Sequence, residues 1–473
     1  MHRPSRPAPP PVGWLFAFDW DRLQLQHLQR DGLARFSTAG FDLFSFPGNL
    51  RLATFDLEAF ADRLARRGRR EGWRGVLSHH EQYGALAAAL VAERLRLPGA
   101  SPASILAAQH KLHARRVLAQ VAPQASLGFA PLPSGYGEPV PAGLAYPCYA
   151  KPVKAAFSVL ARAVADRAEL QRHVAFSRAE RWLLHRLVEP FDRVCRARLP
   201  QAGSAHRLIL EEPVPAATPQ YNLDGWVADG RVRALGVVDA VMVPGTQAFM
   251  RWELPSRLPE TVQQRALEVA QRFLAAIGFR QGLFNLEFFH DPTTDRLSVI
   301  ECNPRLAAQF GDLYRRVTGI DPHAIGVALA LGEDPLALPR REPSAAVAAS
   351  LVYRSFAGQP VPPPPSRAQR AALAREAADA LLFSLPKSAR GRARDYAWTG
   401  SHRYGIVHLG ARDRVELQAR TERVSALLGW PAPYATALQA AVGAPAAAAV
   451  PPSRPASVAW SELAAPLAPP GDG

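Results

Sequence analysis

The chain has 473 residues, more than one hydrophobic core usually spans, so about two to four domains are expected. Hydrophobic residues make up 48% and charged residues 21%, a globular balance, and no apolar run reaches the roughly 20 residues a membrane helix needs. The net charge of +15 comes from arginine: of 56 basic residues, four are lysines, Lys111, Lys151, Lys154 and Lys387. Arginine, alanine and proline are abundant together, which marks a composition bias rather than a nucleic-acid footprint. The densest basic run, "DRLARRGRREGWR" (62–74), has its charges at helical spacing, as a solvated helix face does. Where arginine serves everywhere else, a surviving lysine points to a site that needs a compact point charge.

In chain order, residues 1–12 are Pro-rich and expected to be disordered. The apolar patch that follows is broken at Asp19, too short for a secretory segment. Cys148, Cys195 and Cys302 lie far apart with no CxxC pair, so neither a disulfide framework nor a zinc site is expected, and a reducing cytoplasm is. From Trp14 to about Ala103 apolar runs alternate with helical segments. A strand at Gly75–Ser78 leads to a helix at Tyr83–Leu95 and a Pro-Gly stop, an α/β unit of the doubly wound kind. One helix is expected over Pro102–Ala122, a strand ending at Lys151-Pro152, a helix in "DRAELQRHVAF" and a strand in "HRLILEEPVPA". The turn "ADGR" (228–231) predicts a hairpin, and the helix "PETVQQRALEVAQRFLAAIGF" has Gly278 where a C-cap belongs. Further strands are expected at 345–356 and 403–411. No internal repeat is present.

Two of the predicted strands each carry a carboxylate. "GLFNLEFFHD" holds Glu287 and "RLSVIECNPRL" holds Glu301, and the segment between them suits a hairpin turn. A hairpin centred near Thr294 places the two glutamates directly opposite, with Cβ atoms about 5 Å apart, where like charges destabilise a sheet. Asn303 shares their face. Two carboxylates and an amide oxygen make a hard-cation site of the Mg²⁺ type, open to Mn²⁺ as well. The blander alternative has one glutamate facing solvent and the other paired to an arginine.

Neither G-x-x-x-x-G-K-[ST] nor G-x-G-x-x-G occurs. Instead Lys111 stands at a helix, and "YAKPVKAAFSVLA" sets Lys151, Lys154 and Ser158 along a strand end and small-residue loop. Such point cations neutralise phosphate oxygens while loop amides cover them. "LILEEPV" follows as a hinge, with main-chain groups placed to read an adenine edge.

The order Lys111, "AKPVKAAFS", "LILEEPV", "LFNLEFF", "VIECNPR" resembles the ATP-grasp ligase superfamily over roughly Trp14 to Trp430. The resemblance implies a mixed α/β and α+β fold. A Rossmann-like pre-grasp domain is expected at 13–103 and two grasp subdomains at 104–215 and 216–335. A small C-terminal α/β domain at 336–441 and a disordered Ala/Pro-rich tail at 442–473 complete the expected division. It also implies ATP held by Lys111, Lys151, Lys154, Ser158, Glu211, Glu212, Val214 and Gln220, with Gln220 where a ribose-binding glutamate is usual. Glu287, Glu301 and Asn303 would hold Mg²⁺, and Arg305 would clamp the transferred phosphoryl group with its planar fork.

The loop after Lys151 departs from the pattern, reading Ala-Ala-Phe-Ser where several glycines are usual. "LAAQFGD" after the Asn-Pro-Arg matches neither biotin carboxylases nor D-alanine–D-alanine ligases, so a carboxylate–amine ligase is nearest. Small-molecule carboxylate and amine substrates are expected, without nucleic-acid or membrane partners. The competing readings are a catalytically impaired ATP-binding protein and an arginine-rich nucleic-acid-binding protein. Val241–Pro259 is expected as a loop near the acceptor, in which Arg251 either holds a substrate carboxylate or is an ordinary surface arginine.

Overall fold

The computed structural model describes residues 8–41, 54–155, 160–246 and 248–434. Its N-terminal part is a parallel three-stranded sheet, with Pro11–Leu15 between Arg35–Ala39 and Gly75–Leu77. Helices Leu57–Glu71 and Gly84–Leu95 bury apolar faces in the main core. The first starts at Asp56, whose carboxylate accepts from Ala59 N, and ends at Gly72, whose φ of 68° suits a residue without Cβ.

The single helix expected over Pro102–Ala122 is two. Pro102–Gln109 stops at His110, whose backbone is extended (φ −83°, ψ 91°), and Lys111–Val121 begins afresh. The Lys111 amide leaves the helical register to donate to Val153 O at 3.1 Å, and His110 Nδ1 accepts from His113 N as a cap. The break sets Lys111 at the first position of a helix, against the end of the lysine-bearing strand Cys148–Pro152.

That strand lies in a four-stranded antiparallel sheet ordered Phe129–Pro131, Leu208–Glu211, Cys148–Pro152, Arg162–Val164. A larger antiparallel sheet of eight strands runs Arg296–Asn303, Gly282–Asp291, Gln220–Ala228, Arg231–Met242, Phe249–Leu254, Val347–Phe356, Ser401–Ala411, Leu381–Ser384. The strands from the last hundred described residues thus extend the sheet that carries Glu287 and Glu301. The hairpin expected at "ADGR" forms, and Asp229 and Gly230 both have positive φ (49° and 80°), as a type I′ turn requires. Among the described residues no helix is long and apolar enough to cross a membrane.

Alternation sends the two faces of the large sheet to different layers. Leu223, Val227, Val237 and Phe284 join the core formed with helix Glu260–Ala276, while Trp226, Val238, Trp252 and Val352 meet Leu313 and Tyr314 of helix Gly311–Thr318. Gly225 marks the tightest approach, since a Cβ there would lie 2.4 Å from Arg233 O and 2.6 Å from the Phe284 ring. Backbone and a buried ring cannot yield cheaply. Gly225→Ala should therefore cost about 1–3 kcal/mol, the usual scale of overpacking, read as a lower urea midpoint. An unchanged midpoint would contradict this packing.

Candidate active site

Glu287 and Glu301 are cross-strand partners, but the pairing is made by a bulge: the turn end sets Asp291 opposite Arg296 and Phe288 opposite Val299, a register that would otherwise place Glu287 opposite Ile300. Asp291 closes the turn, its two oxygens accepting from Thr293 N (2.9 Å) and Thr294 Oγ1 (2.8 Å). The register slips after Glu287, and Ile300 is left without a partner in that ladder. Its carbonyl accepts instead from Arg115 Nη2 (3.0 Å) and Lys151 Nζ (3.3 Å).

Asn303 Nδ2 stands 3.1 Å from Glu287 Oε1 and 3.4 Å from Glu301 Oε1. Gln220 Nε2 donates to the other Glu287 oxygen at 3.1 Å. Lys111 Nζ pairs with Glu301 Oε2 at 2.7 Å and donates to Ala155 O. The two carboxyls consequently diverge. Burial pushes Glu301 up, but Lys111, then Lys151, outweigh it and hold the group low. Burial and the Glu301 charge both drive Glu287 well above the usual carboxylate range. Without metal, then, Lys111 offsets one carboxylate, and the other is shifted toward its protonated form.

Glu211 was expected at the adenine. Its side chain is instead buried between Arg115 Nη2 (2.7 Å) and Lys151 Nζ (2.8 Å), so it fixes the cations. Glu212 is held by Arg296 (2.8 Å) and accepts from Gly128 N, while Val214 lies half-buried in the segment after the strand. Lys154 Nζ donates to Glu81 O (3.3 Å) and Gln109 Oε1 (3.2 Å) and sits 4.7 Å above the Phe191 ring. Burial pushes it down to about 7. Ser158 lies outside the described residues. Arg251 does not face an acceptor loop: it is in strand Phe249–Leu254, buried, with Nε on Glu253 at 2.5 Å and Nη1 donating to Pro433 O. Its fork is already committed to the protein.

Arg305 Nη2 pairs with Glu81 Oε2 at 2.7 Å, a partner the sequence reading passed over. Glu81 lies in "SHHEQYG", just past the carboxyl end of parallel strand Gly75–Leu77, the end at which such sheets bind ligands. That position was the available signal. Asp224, wholly buried beside Tyr314 Oη (3.0 Å) and Asn285 Nδ2 (3.1 Å), was also missed, and burial raises it to about 7.

The donor set fits a hard divalent cation. Glu287 and Glu301 offer oxygen from facing strands, and half a turn of the Asn303 amide would replace Nδ2 by Oδ1. Loading a cation there means displacing a proton from Glu287 and Lys111 from Glu301.

A raised carboxyl binds its proton more tightly in the folded than in the unfolded chain. Its contribution is complete below the ordinary carboxylate range and is lost as pH rises through the folded value. Metal-free wild type should therefore lose stability relative to Glu287→Gln between about pH 5 and neutrality. Urea midpoints across that range test this. Parallel pH profiles in the two proteins would show that Glu287 is not protonated.

No protein-family model matches the chain. Carnosine synthase 1 of Gallus gallus is 32% identical over 160 residues, which are 33% of this chain and 17% of that protein. Among solved structures, an L-amino acid ligase from Bacillus licheniformis superposes with a TM-score of 0.64 at 16% identity, covering 88% of this chain and 97% of that one. A carboxyaminoimidazole ribonucleotide synthase from Aspergillus clavatus, complexed with ATP, gives a TM-score of 0.59 at 15% identity over 89% and 99%. At such identities the likeness speaks for the fold, and the coverage takes in nearly all of the described chain. The architecture that the lysine, hinge and glutamate motifs resemble is the one the chain adopts: it has the ATP-grasp fold.

Proposed function

We propose that the protein is an ATP- and Mg²⁺-dependent ligase that activates a small-molecule carboxylate as an acyl phosphate and passes it to an amine. The observation that carries this reading is the convergence, on one Glu–Glu–Asn set, of Lys111, Lys151 and Arg305 from three separate elements. Bound Mg²⁺ or Mn²⁺ would supply charge neutralisation at the phosphates.

The chain's own part is positioning. Lys151 is held by Glu211 and the Ile300 carbonyl, so its charge is fixed before nucleotide arrives. Lys111, paired with Glu301 here, would offer its charge to a phosphate oxygen if a metal ion took that carboxylate. Arg305 is held at Nη2 by Glu81 and loosely at Nη1 by the Leu306 carbonyl (3.5 Å), which leaves its remaining N–H groups for a phosphoryl or acyl phosphate oxygen. Main-chain groups of Glu212–Val214 take the adenine edge, and Gln220 a ribose hydroxyl. Amino-acid-type substrates are favoured because an L-amino acid ligase and a carnosine synthase stand among the similar proteins. The three cysteines are buried free thiols, in keeping with a cytoplasmic setting.

Phosphate and ADP release across paired amino acids and carboxylates tests the reaction. Nucleotide choice is checked by melting: ATP should protect only with Mg²⁺, by about 2.7 kcal/mol at a hundredfold excess over its dissociation constant, and GTP poorly. Equal protection by both nucleotides would remove the adenine hinge. Lys151→Met should abolish turnover in a folded protein, while Lys387→Met, whose lysine pairs with Asp395 away from this cluster, should turn over like wild type. Loss in both or in neither would contradict the assignment.

A further inference from the structure

The large sheet holds a second like-charge pair, of opposite sign. Arg354 and Arg403 are direct cross-strand partners in Val347–Phe356 and Ser401–Ala411. Side chains opposite one another in an antiparallel pair share a face and stand about 5 Å apart at Cβ, so two cations there repel. By alternation Arg354 shares its face with Ser350 and Val352, and Val352 packs in the same layer as Trp252 and Tyr314. Ser350 Oγ in turn accepts from Gln309 Nε2 at 2.8 Å, four residues beyond Arg305. The arginine pair therefore lies on the face of the sheet that also carries the candidate active site.

Among the described residues no carboxylate forms an ion pair with either arginine, although the charge of Asp395 acts on both from a distance. Arg354 donates to two neutral oxygens, Phe249 O (2.8 Å) and Ser401 Oγ (3.0 Å). Arg403 makes no hydrogen bond or ion pair among the described residues. The nearby carboxylate, Asp395, is engaged by Lys387 Nζ on both oxygens (2.9 and 2.8 Å) and by His402 Nδ1 (2.9 Å). Both guanidinium groups are half-buried. Burial, and then Arg403, push Arg354 down to about 9, far from the range in which arginine is always charged. Retaining two such groups face to face costs stability unless an anion joins them.

We propose that Arg354 and Arg403 form an oxyanion-binding site, in which a carboxylate or phosphate group of a substrate bridges the two guanidinium forks. The planar forks match either group through paired N–H donors. The link to a substrate rests on the ligase reading above: one substrate would carry, besides its reacting group, a second anionic group. The anion site itself does not depend on that reading.

The test uses the full-length protein without nucleotide or metal. Melting is followed against millimolar inorganic phosphate and, separately, malonate, with ionic strength held constant by sodium chloride. Wild type, Arg403→Gln and Arg412→Gln are compared, the last removing an exposed arginine paired to Glu416. In chloride alone Arg403→Gln should melt at or above wild type, because the repulsion is gone. Phosphate or malonate should raise the wild-type and Arg412→Gln melting temperatures saturably by several degrees and leave Arg403→Gln unmoved. The anion that saturates at lower concentration identifies the group as phosphate or carboxylate. An equal anion response in wild type and Arg403→Gln, no saturable response to either anion, or a lower chloride melting point for Arg403→Gln would each overturn the proposal. Protection by Mg-ATP, measured separately, should survive in Arg403→Gln. Its absence in all three proteins would sink the ligase reading while leaving the anion result standing.

Discussion

The site depends on one constraint: two carboxylates must share a half-buried cross-strand position, where two full negative charges repel. At the spacing of such a pair, simultaneous ionisation in a poorly solvated sheet is unfavourable, and the protein answers asymmetrically. Lys111 compensates Glu301, while Glu287 accepts from the amides of Gln220 and Asn303 and is driven well above the usual carboxylate range. The remaining features follow from where that lysine must stand. The helix breaks at His110 so that Lys111 begins a new helix, and its amide is tied to Val153 O between Lys151 and Lys154.

A second buried network joins the two halves of the cleft. Arg115 binds Glu211 on the four-stranded sheet and the carbonyls of Val299 (2.8 Å) and Ile300 on the eight-stranded one. Lys151 makes the same bridge from the opposite partner. Buried ion pairs of this kind contribute little net stability, but removing one member strands the other, so they fix geometry more than they add energy. Here they hold the cations at a set distance from the strands that carry Glu287 and Glu301.

What the sequence disclosed, and what it did not, divides along the range of the interactions involved. The hairpin was legible because its turn chemistry is local, but the facing of Glu287 and Glu301 also needs the bulge at Ile300, which shifts the register the turn sets by one residue. The lysines were legible because arginine had replaced lysine nearly everywhere else. The break at His110 was not, since it arises from a hydrogen bond to a residue some forty positions away. Glu81 escaped for the same reason, its partner Arg305 being 224 residues distant. Arg251 was misjudged because a loop was expected where strand Phe249–Leu254 pairs on both sides. The continuity of the large sheet through residues 347–411 likewise depends on pairings between distant strands.

The strand that carries Glu301 is also the edge of the eight-stranded sheet, and its outward carbonyls at Val299 and Ile300 are the ones taken by Arg115 and Lys151. An open edge of apolar, β-branched residues is a template for pairing with another chain, and proteins commonly blunt such edges with charge. Here the blunting groups come from the neighbouring subdomain. The same side chains that bind Glu211 thus also cover this edge, so one set of cations both ties the two sheets together and keeps the larger one from recruiting a ninth strand.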